Sequence, residues 1–307
     1  MSKIKSVVLG GSGFLGSHVA EHLCLNDHAV TVFDRRAPET ALPGLETVIG
    51  DITDLSALCD AVSDADYVFN FAAIADIGDA LARPVDAASV NIMGTVNALE
   101  ASRRAGIKRF VQASSVYVFS ESGGIYRATK LASEKLVETY QEHYGLDFSI
   151  LRYGSLYGRR ADKNNSIRRM VRQALQEQQI VYRGSENAVR EYIHVSDAAR
   201  LTIEILSDAY RNQHVVMAGH ERMPIRDVMT MIKEMLAPSL DVELKFETVE
   251  GHYVVTPFNF SPKVGRKLTS HHYVDIGQGI LDCLNEAYGE LHGGTEAELS
   301  VQPHDDD

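Results

Sequence analysis

Cysteine is scarce in this sequence and no long hydrophobic run occurs, so several classes of protein are excluded at once. The spacing of Cys24, Cys59 and Cys283 matches neither a metal site nor a disulfide framework. No segment approaches the roughly 20 consecutive apolar residues that a membrane-spanning helix needs. Because the first residues pass directly into a strand pattern, we expect no signal peptide, no membrane association and a cytoplasmic location.

Basic residues are also few relative to acidic ones. Lysine and arginine total 30, and aspartate and glutamate total 42, which gives a formal net charge of −12. A surface of this sign repels nucleic acid, so DNA and RNA are not expected as partners. An anionic small molecule can still bind where several arginines line one cleft. The twelve histidines form no cluster with the cysteines, and we predict no metal site.

The order of hydrophobic patterns in the first half indicates an α/β fold. Short β-branched runs alternate with helical stretches, which is typical of a parallel sheet with helices on both faces. Right-handed crossovers make such a sheet doubly wound, as in the Rossmann-type fold. The predicted strands are 6–9, 29–33, 46–49, 67–71, 109–113 and 148–151, and the predicted helices are 14–24, 55–62, 87–104 and 127–144.

The rhythm of these patterns changes after about Gly158. Helices predicted over 162–179, 224–236 and 275–288 are mixed there with short strands predicted over 191–195, 215–217 and 242–246. We therefore predict a Rossmann-type domain over 1–159 and a smaller mixed α/β lobe over 160–290, partly interleaved with it. The acidic tail over 291–307 is expected to be disordered.

A glycine-rich segment joins the first predicted strand to the first predicted helix. Its spacing fits Gly-x-Gly-x-x-Gly from Gly11 and Gly-x-x-Gly-x-x-Gly from Gly10. Such glycines let the chain turn tightly and bring backbone N–H groups against a pyrophosphate, which the helix N-terminus also attracts. We predict that the segment binds a dinucleotide through Gly10, Gly13, Phe14, Leu15 and Gly16.

Asp34 ends the second predicted strand, about 20 residues beyond the glycine segment. At this distance a carboxylate can accept hydrogen bonds from both hydroxyls of a ribose. Because a carboxylate repels a 2′-phosphate, we predict NAD as the cofactor rather than NADP. Arg35 and Arg36 keep NADP open, since a guanidinium can hold the additional phosphate.

A tyrosine and a lysine at helical spacing supply candidate acid–base chemistry. Tyr126 and Lys130 are four residues apart at the start of a predicted helix, so both side chains can face one cleft. A free tyrosine has a pKa of about 10. A neighbouring ammonium and the nicotinamide cation would lower the pKa of this phenol and make it a usable base. Ser115, at the end of a predicted strand, can hydrogen-bond the same substrate oxygen. We predict Ser115, Tyr126 and Lys130 as the catalytic residues.

Together these features resemble the extended short-chain dehydrogenase/reductase family, in particular the NAD-dependent epimerases and dehydratases of nucleotide sugars. The resemblance extends to about Tyr288 and implies an enzyme. It implies that Tyr126 and Lys130 also contact the cofactor. It implies further cofactor contacts at Arg35, Asp51, Ile52, Phe71, Ala72, Ala73, Asn91 and Tyr153. Substrate contacts are implied at Ser115, Ser155, Arg190 and Tyr192, where the arginine grips the nucleotide diphosphate.

Three departures from the family pattern bear on the reaction. Only ten residues separate Ser115 from Tyr126, so the wall of the sugar pocket is short. Ser155 stands where the family commonly has asparagine, which weakens one expected substrate contact. Val116 and Tyr117 replace the Asp-Glu pair that 4,6-dehydratases use to eliminate water, so a dehydratase is disfavoured.

Three functions remain open at this point. The first is a nucleotide-sugar epimerase at C4, in which Tyr126 deprotonates the C4 hydroxyl while NAD takes the hydride, and a transient 4-keto sugar is reduced on its other face. The second is a 4-keto-sugar reductase or dehydrogenase that uses the same residues and consumes NAD(P)H. The third is a non-catalytic cofactor-binding regulator, which the intact Tyr126 and Lys130 disfavour. The resemblance also implies a homodimer formed by the helices predicted over 87–104 and 127–144.

Overall fold

The computed structural model describes residues 3–38, 44–220, 222–237, 240–247, 266–269 and 273–292. The strands are β1 (Lys5–Leu9), β2 (Ala29–Asp34), β3 (Leu45–Ile49), β4 (Tyr67–Asn70), β5 (Arg109–Ser115), β6 (Phe148–Tyr153), β7 (Ser155–Tyr157), β8 (Gln179–Arg183), β9 (Val189–His194), β10 (Gln213–Met217), β11 (Arg222–Pro224), β12 (Glu243–Glu247) and β13 (Arg266–Leu268). The α-helices are α1 (Phe14–Leu25), α2 (Leu55–Val62), α3 (Ile77–Ala82), α4 (Pro84–Ala88), α5 (Gly94–Ala105), α6 (Gly124–Tyr144), α7 (Ser166–Glu177), α8 (Val195–Glu204), α9 (Ile225–Leu236) and α10 (Ile276–His292).

The main sheet has the predicted parallel, doubly wound arrangement. Within the described residues it has eight strands in the order β13-β10-β6-β5-β4-β1-β2-β3. Every neighbouring pair is parallel. The chain builds β2 and β3 on one side of β1 and then places β4 on the other side. The loops after β1 and β4 therefore diverge, and they leave a crevice at the carboxyl ends of the strands where such sheets bind ligands.

Helices cover both faces of this sheet, which makes its central strands apolar and buried along their length. β5 and β6 have no exposed residue. On one face α1 and α8 pack through Val19, Leu23, Leu201 and Ile205. On the other face α2, α5 and α6 pack through Leu58, Val62, Leu99 and Val137. The two faces give the three-layer architecture that the strand–helix alternation predicts.

A smaller lobe has a core of its own. A three-stranded sheet, β11-β9-β7, and a two-stranded sheet, β12-β8, accompany α7, α9 and α10. The three helices meet at Ile167, Met170, Val228, Ile232 and Leu284. The chain does not stay in this lobe, because β10 pairs with β6 of the main sheet and α8 packs on its face. A division at residues 159 and 160 therefore remains our proposal.

Two predicted helices differ from the structure. The one predicted over 87–104 is divided into α4, a π-helix over Ser89–Met93, and α5. The one predicted over 162–179 begins only at Ser166, because the Asn165 side chain caps the backbone of Arg168 at 3.3 Å. It ends at Glu177, because Gln178 has a left-handed φ of 51°, and β8 follows directly. Periodicity alone does not reveal such caps and widened turns.

The acidic tail predicted over 291–307 lies outside the described residues from position 293 onward, and Leu291 and His292 complete α10. In the part of the chain that the structure describes, none of the helices has the length and apolar character that crossing a bilayer requires.

Candidate active site

A cavity of about 540 Å³ lies at the carboxyl ends of β1 and β4. It is bounded by the loop after β1, the ends of β2 and β3, and the loop after β4. The predicted cofactor residues that line it are Gly10, Gly13, Asp34, Arg35, Asp51, Ile52, Phe71, Ala72 and Ala73. Phe33, Arg36, Gly50 and Val90 also line it. Residues far apart in the sequence thus meet at one crevice, which we call the dinucleotide cavity.

The glycine segment shapes one wall of this cavity through close backbone approaches. Gly10 has a φ of 77°, and a Cβ there would lie 2.6 Å from the Ala72 nitrogen. A Cβ on Gly16 would lie 2.3 Å from the Gly10 carbonyl oxygen. The N-cap of α1, Gly13, offers no capping side chain, so N–H groups of the first turn are left for a ligand. This arrangement suits an anionic group at the helix N-terminus.

Two carboxylates stand at the strand ends in this cavity. Asp34 Oδ2 accepts a hydrogen bond from the Ser12 backbone N–H at 3.0 Å, which ties the carboxylate to the glycine segment. Asp51 Oδ1 accepts from the backbone and the hydroxyl of Thr53 at 2.9 and 2.8 Å. These bonds, chiefly the one from the Thr53 backbone, hold the pKa of Asp51 below its usual range. Both side chains are therefore held in place before any ligand binds.

The structure brings the predicted catalytic residues together at the start of α6. The Lys130 Nζ lies 5.9 Å from the centre of the Tyr126 ring and donates to the Ala113 carbonyl oxygen at 2.9 Å. Burial lowers the pKa of Lys130 to about 8, and the neighbouring charge of Glu134 opposes that shift. Ser115 ends β5, and Ser115 and Tyr126 both line a second cavity, separate from the dinucleotide cavity. The Lys130 ammonium lies behind this cavity, next to the phenol.

Asn91 occupies the π-helix and does not line the dinucleotide cavity. Its side chain accepts from the Ile74 N–H at 2.8 Å and donates to the Ile74 carbonyl at 3.1 Å and to Thr129 Oγ1 at 3.0 Å. Thr129 in turn donates to the Tyr126 carbonyl at 2.8 Å. We infer that Asn91 braces the loop after β4 against the first turns of α6, rather than contacting a cofactor.

A second cavity, of about 320 Å³, adjoins the first along the loop after β4. Ala72 and Ala73 line the dinucleotide cavity, whereas Ala75 and Asp76 line this one. All four predicted substrate residues line it, together with Tyr126 and Phe14: Ser115, Ser155, Arg190 and Tyr192. We call it the substrate cavity. The sequence did not single out most of its other lining residues, which include Asp76, Ile77, Leu156, Asn165, Ser166, Arg169, Tyr182, Arg183 and Ile225.

The substrate cavity is positively charged although the chain is acidic. Arg169, Arg183 and Arg190 line it, although Arg183 Nε also pairs with Glu247 Oε2 at 3.1 Å. Arg190 is buried and donates to the Tyr182 hydroxyl at 3.2 Å, which orients its guanidinium. The one lining carboxylate among the described residues, Asp76, caps α3 by accepting from the Asp79 N–H at 2.8 Å. Such a cavity attracts an anion with more than one charge.

Some predicted cofactor residues lie behind the cavity walls. Leu15 and Gly16 support the glycine segment from within α1. Tyr153 is buried, its hydroxyl lies 2.6 Å from Thr202 Oγ1, and burial raises the pKa of this phenol so that it stays neutral. Its ring centre is 6.4 Å from that of Phe71, so Tyr153 supports the cavity wall through that ring.

The histidine pair on α1 is a packing feature. His18 and His22 are one helical turn apart, a spacing that can bind a metal ion. However, His18 Nδ1 is hydrogen-bonded to the Phe14 carbonyl at 2.9 Å, and burial lowers the pKa of His18 to about 4. Among the described residues, no group of three or more His, Cys, Asp or Glu side chains is placed to hold a metal ion.

Comparison with known proteins identifies the family. Residues 6–219 match the model of the NAD dependent epimerase/dehydratase family. The chain belongs to this NAD-dependent family of enzymes. The match includes the glycine segment, Ser115, Tyr126, Lys130 and Arg190. The predicted family, its enzymatic character and its NAD cofactor are thereby confirmed, whereas the roles of individual site residues remain our proposals.

Several proteins similar to this chain are named as nucleotide-sugar enzymes. A putative UDP-glucose 4-epimerase of Methanocaldococcus jannaschii is 27% identical over 249 residues, which are 74% of this chain and 81% of that protein. The UDP-glucose 4-epimerase of Thermotoga maritima, solved with UDP-glucose, is similar with a TM-score of 0.82 and 21% identity, over 94% of this chain and 100% of that one. The UDP-glucose 4-epimerase of Thermus thermophilus, solved with NAD, has a TM-score of 0.79 and 24% identity, over 93% and 99%. The two structures confirm the fold.

Proposed function

We propose that this chain is a NAD-dependent nucleotide-sugar epimerase that acts at C4 of a UDP-linked hexose through a transient 4-keto sugar. The observation that carries the proposal is the convergence of Ser115, Tyr126 and Arg190 on one cavity beside the dinucleotide cavity. A base for a sugar hydroxyl and a cation for a diphosphate then share one space. The names of the epimerases described above favour UDP as the nucleotide and C4 as the reacting carbon.

The dinucleotide cavity fits NAD on its own geometry. The backbone cradle at Gly10 and Gly16 has no room for a Cβ, and Asp34 presents a carboxylate suited to two ribose hydroxyls. We propose that Gly10, Gly13, Asp34, Asp51 and Ala72 hold the cofactor. NAD bound there would supply the acceptor for the hydride that leaves the sugar carbon and the donor for its return to the opposite face of that carbon.

We propose that residues at the start of α6 and at the end of β5 carry out the acid–base catalysis. Tyr126 removes the proton from the C4 hydroxyl and later returns it, and the Lys130 ammonium stabilises the phenolate form of Tyr126. Ser115 Oγ accepts from the Tyr117 N–H at 3.3 Å. The hydroxyl hydrogen of Ser115 is therefore left to donate to the sugar oxygen, where it favours the carbonyl form.

The nucleotide diphosphate is proposed to lie against the lobe side of the substrate cavity. Arg190 and Arg169 bring two guanidinium groups there, and the N-terminal residues Asn165 and Ser166 bring the positive end of α7. This combination outweighs the acidic charge of the chain locally. It leaves the sugar near Tyr126, at the opposite side of the cavity.

Water elimination is disfavoured by the turn after Ser115. Val116 is buried against Val216 and Ala218, so it presents no acid or base to the cavity. Tyr117 lines the cavity but has no carboxylate. Because a 4,6-dehydration needs an acid and a base near C5 and C6, these side chains support the epimerase rather than a dehydratase.

The proposal is tested by incubating the purified chain with UDP-glucose and with UDP-galactose in separate reactions. We expect each to be converted to a mixture of the two, as analysed by NMR, without a net change in absorbance at the nicotinamide band. A Tyr126→Phe variant serves as the control. A stoichiometric rise in that absorbance would instead favour the dehydrogenase alternative, and no reaction with either sugar would contradict the proposed substrate.

We also propose a homodimer formed by the segments 87–104 and 127–144. Met93 within the first segment is 53% exposed, and the neighbouring Leu81 and Val85 are 67% and 78% exposed, which is much apolar surface for helices on an outer face. Light scattering should give a mass of two chains. A Met93→Glu variant should shift that mass towards one chain, and a wild-type mass of one chain would contradict the dimer.

A further inference from the structure

A buried ion pair adjoins the catalytic residues without lining either cavity. Arg152 of β6 and Glu134 of α6 meet in two contacts, Nε–Oε1 at 3.0 Å and Nη2–Oε2 at 2.7 Å. Both side chains are at least 95% buried. Removing two charges from water costs free energy, and a bidentate pair offsets that cost only partly. A pair of this kind is therefore a poor source of stability, and its position suggests another role.

The pair contacts both sides of the catalytic serine. Ser114 Oγ donates to Glu134 Oε1 at 2.6 Å, so the residue directly before Ser115 is tied to α6. The Arg152 guanidinium lies 4.6 Å from the centre of the Phe119 ring, in the 3-10 turn that follows Ser115. The end of β5 and the turn after it are thus both held against one ion pair.

One member of the pair, Glu134, also acts electrostatically on Lys130. Glu134 lies one helical turn after Lys130, and its charge favours the ammonium form against the effect of burial. Of the other titratable and charged groups in the described chain, Tyr126 lies beside Lys130, and Arg152 of β6 is paired with Glu134. From β5, the Ala113 carbonyl oxygen accepts a hydrogen bond from the Lys130 ammonium.

The ion pair is linked through His214 to a second pair of charged residues nearer the surface. Arg152 Nη2 lies 2.9 Å from His214 Nδ1, and His214 Nε2 lies 3.0 Å from Glu138 Oε1. Glu138 Oε2 accepts from the exposed Lys135 at 2.9 Å. Side chains of alternating charge therefore form a row from the surface to the active site, in the order Lys135, Glu138, Arg152 and Glu134. In such an arrangement each carboxylate lies next to a cation. The positive charge of Arg152 therefore offsets part of the electrostatic effect of Glu134 on Lys130.

We propose that Glu134 and Arg152 are positioning residues, which hold the Ser115 turn against α6 and together set the charge state of Lys130. Glu134 supports the ammonium, and Arg152 limits that support, so that Lys130 can serve the tyrosine near neutral pH. This inference rests on the proposed function only for the catalytic use of Lys130. The charge balance itself is a property of the chain without substrate or cofactor.

The first experiment measures Lys130 directly in the chain without ligands. [15N]Lysine NMR follows the Nζ resonance of Lys130 against pH, and a Lys130→Arg variant identifies the resonance by its loss. Glu134→Gln keeps the shape of the side chain and removes its charge, so the titration midpoint should fall by on the order of one pH unit. Arg152→Met releases the charge of Glu134, so the midpoint should rise by a similar amount. The double variant should return close to the wild-type midpoint.

The second experiment measures kcat against pH for the same variants. The alkaline limb should move to lower pH in Glu134→Gln and to higher pH in Arg152→Met. Arg109→Met is the matched control, since Arg109 is equally buried but binds the Ile205 and Ser207 carbonyls far from Lys130. It should lower the melting temperature without moving either midpoint. If Arg152→Met does not fold, Arg152→Lys should hold the midpoint near the wild-type value while Glu134→Gln lowers it.

Midpoints that stay the same in all variants, with lowered melting temperatures, would overturn the proposal and leave the pair a structural element. Shifts of both variants in the same direction would also overturn it. If the NMR midpoints move as expected but no nucleotide sugar is converted, the charge balance stands and the proposed function fails.

Discussion

The dinucleotide cavity and the substrate cavity lie side by side, yet they are built in different ways. The first is shaped by glycines that leave no room for a Cβ and by strand ends that carry a carboxylate. The second is bounded by side chains from β5, α6, β7, α7, β8 and β9. Cofactor binding therefore depends on the carboxyl ends of neighbouring strands in the main sheet, whereas substrate binding depends on how the lobe packs against that sheet. Substitutions in one cavity should therefore alter binding of its own ligand and leave binding in the other cavity largely unchanged.

Tyr126→Phe should give the largest effect, because it removes the proposed base at the border between the two cavities. We expect kcat to fall by about 10²- to 10⁴-fold, the range for loss of a general acid–base group. NAD affinity should change little. Tyr140→Phe, on the same helix and packed against Tyr144 instead, is the control and should retain kcat. Turnover by Tyr126→Phe at the wild-type rate would refute the assignment of the base.

Arg190→Leu should affect only the substrate side. Loss of a charged hydrogen-bonding group of about 1.5–3 kcal/mol corresponds to a rise of KM for the UDP-sugar of roughly 10- to 100-fold. The NAD dissociation constant, measured by calorimetry, should not change. Arg226, an exposed lobe arginine paired with Glu186, offers a control in Arg226→Leu. A weakened affinity for NAD in Arg190→Leu would show that the cofactor and substrate cavities do not respond independently to substitution.

Gly16→Ala should affect only the cofactor side. Its Cβ would lie 2.3 Å from the Gly10 carbonyl oxygen, so the glycine segment must shift, at a cost of about 1–3 kcal/mol. We expect a lower melting temperature and an NAD affinity weakened by about tenfold. Gly106→Ala, with a φ of 67° but open space around its Cβ, should cost about 1–2 kcal/mol of stability and leave NAD affinity unchanged.

The pH dependence should separate catalysis from stability. Burial lowers the pKa of Lys130 from 10.5 to about 8, so kcat should fall up to tenfold per pH unit above that value as the ammonium is lost. In the unfolded chain Lys130 keeps its proton up to its ordinary pKa. The folded state thus binds fewer protons between about pH 8 and 10.5, and this group makes the chain more stable as pH rises through that window. If the melting temperature falls in parallel with kcat, unfolding is the cause instead.

Asp34→Asn should have the smallest of these effects. Removing the negative charge should lower the preference for NAD over NADP by about tenfold, measured as the ratio of the two dissociation constants. The effect is limited because Asn can still accept from the Ser12 N–H that now bonds Asp34 Oδ2. Asp54→Asn, which retains a helix cap at α2, should leave the ratio unchanged. An unchanged ratio in Asp34→Asn would show that Arg35 and Arg36 set the cofactor preference.

Local sequence patterns account for the glycine segment and Asp34, whereas much of the substrate cavity depends on how the lobe packs. Gly10, Gly13 and Asp34 belong to one strand–turn–helix–strand unit, in which local sterics decide the backbone. Arg169 and Arg183 were missed because only the packing of α7 and β8 brings them beside Arg190. The site of Asn91 was predicted, but its use as a brace depends on the loop at Ile74 and on Thr129, which no local pattern reveals. The cap at Asn165 and the turn at Gln178 were likewise hidden within a continuous helical pattern.

The central claim is most directly tested by a UDP-glucose that carries deuterium at C4. The account predicts that the 4-epimer forms with the deuterium retained at C4, without net formation of reduced cofactor and without exchange with solvent. Loss of the label to water, or its transfer to a net amount of reduced cofactor, would contradict it.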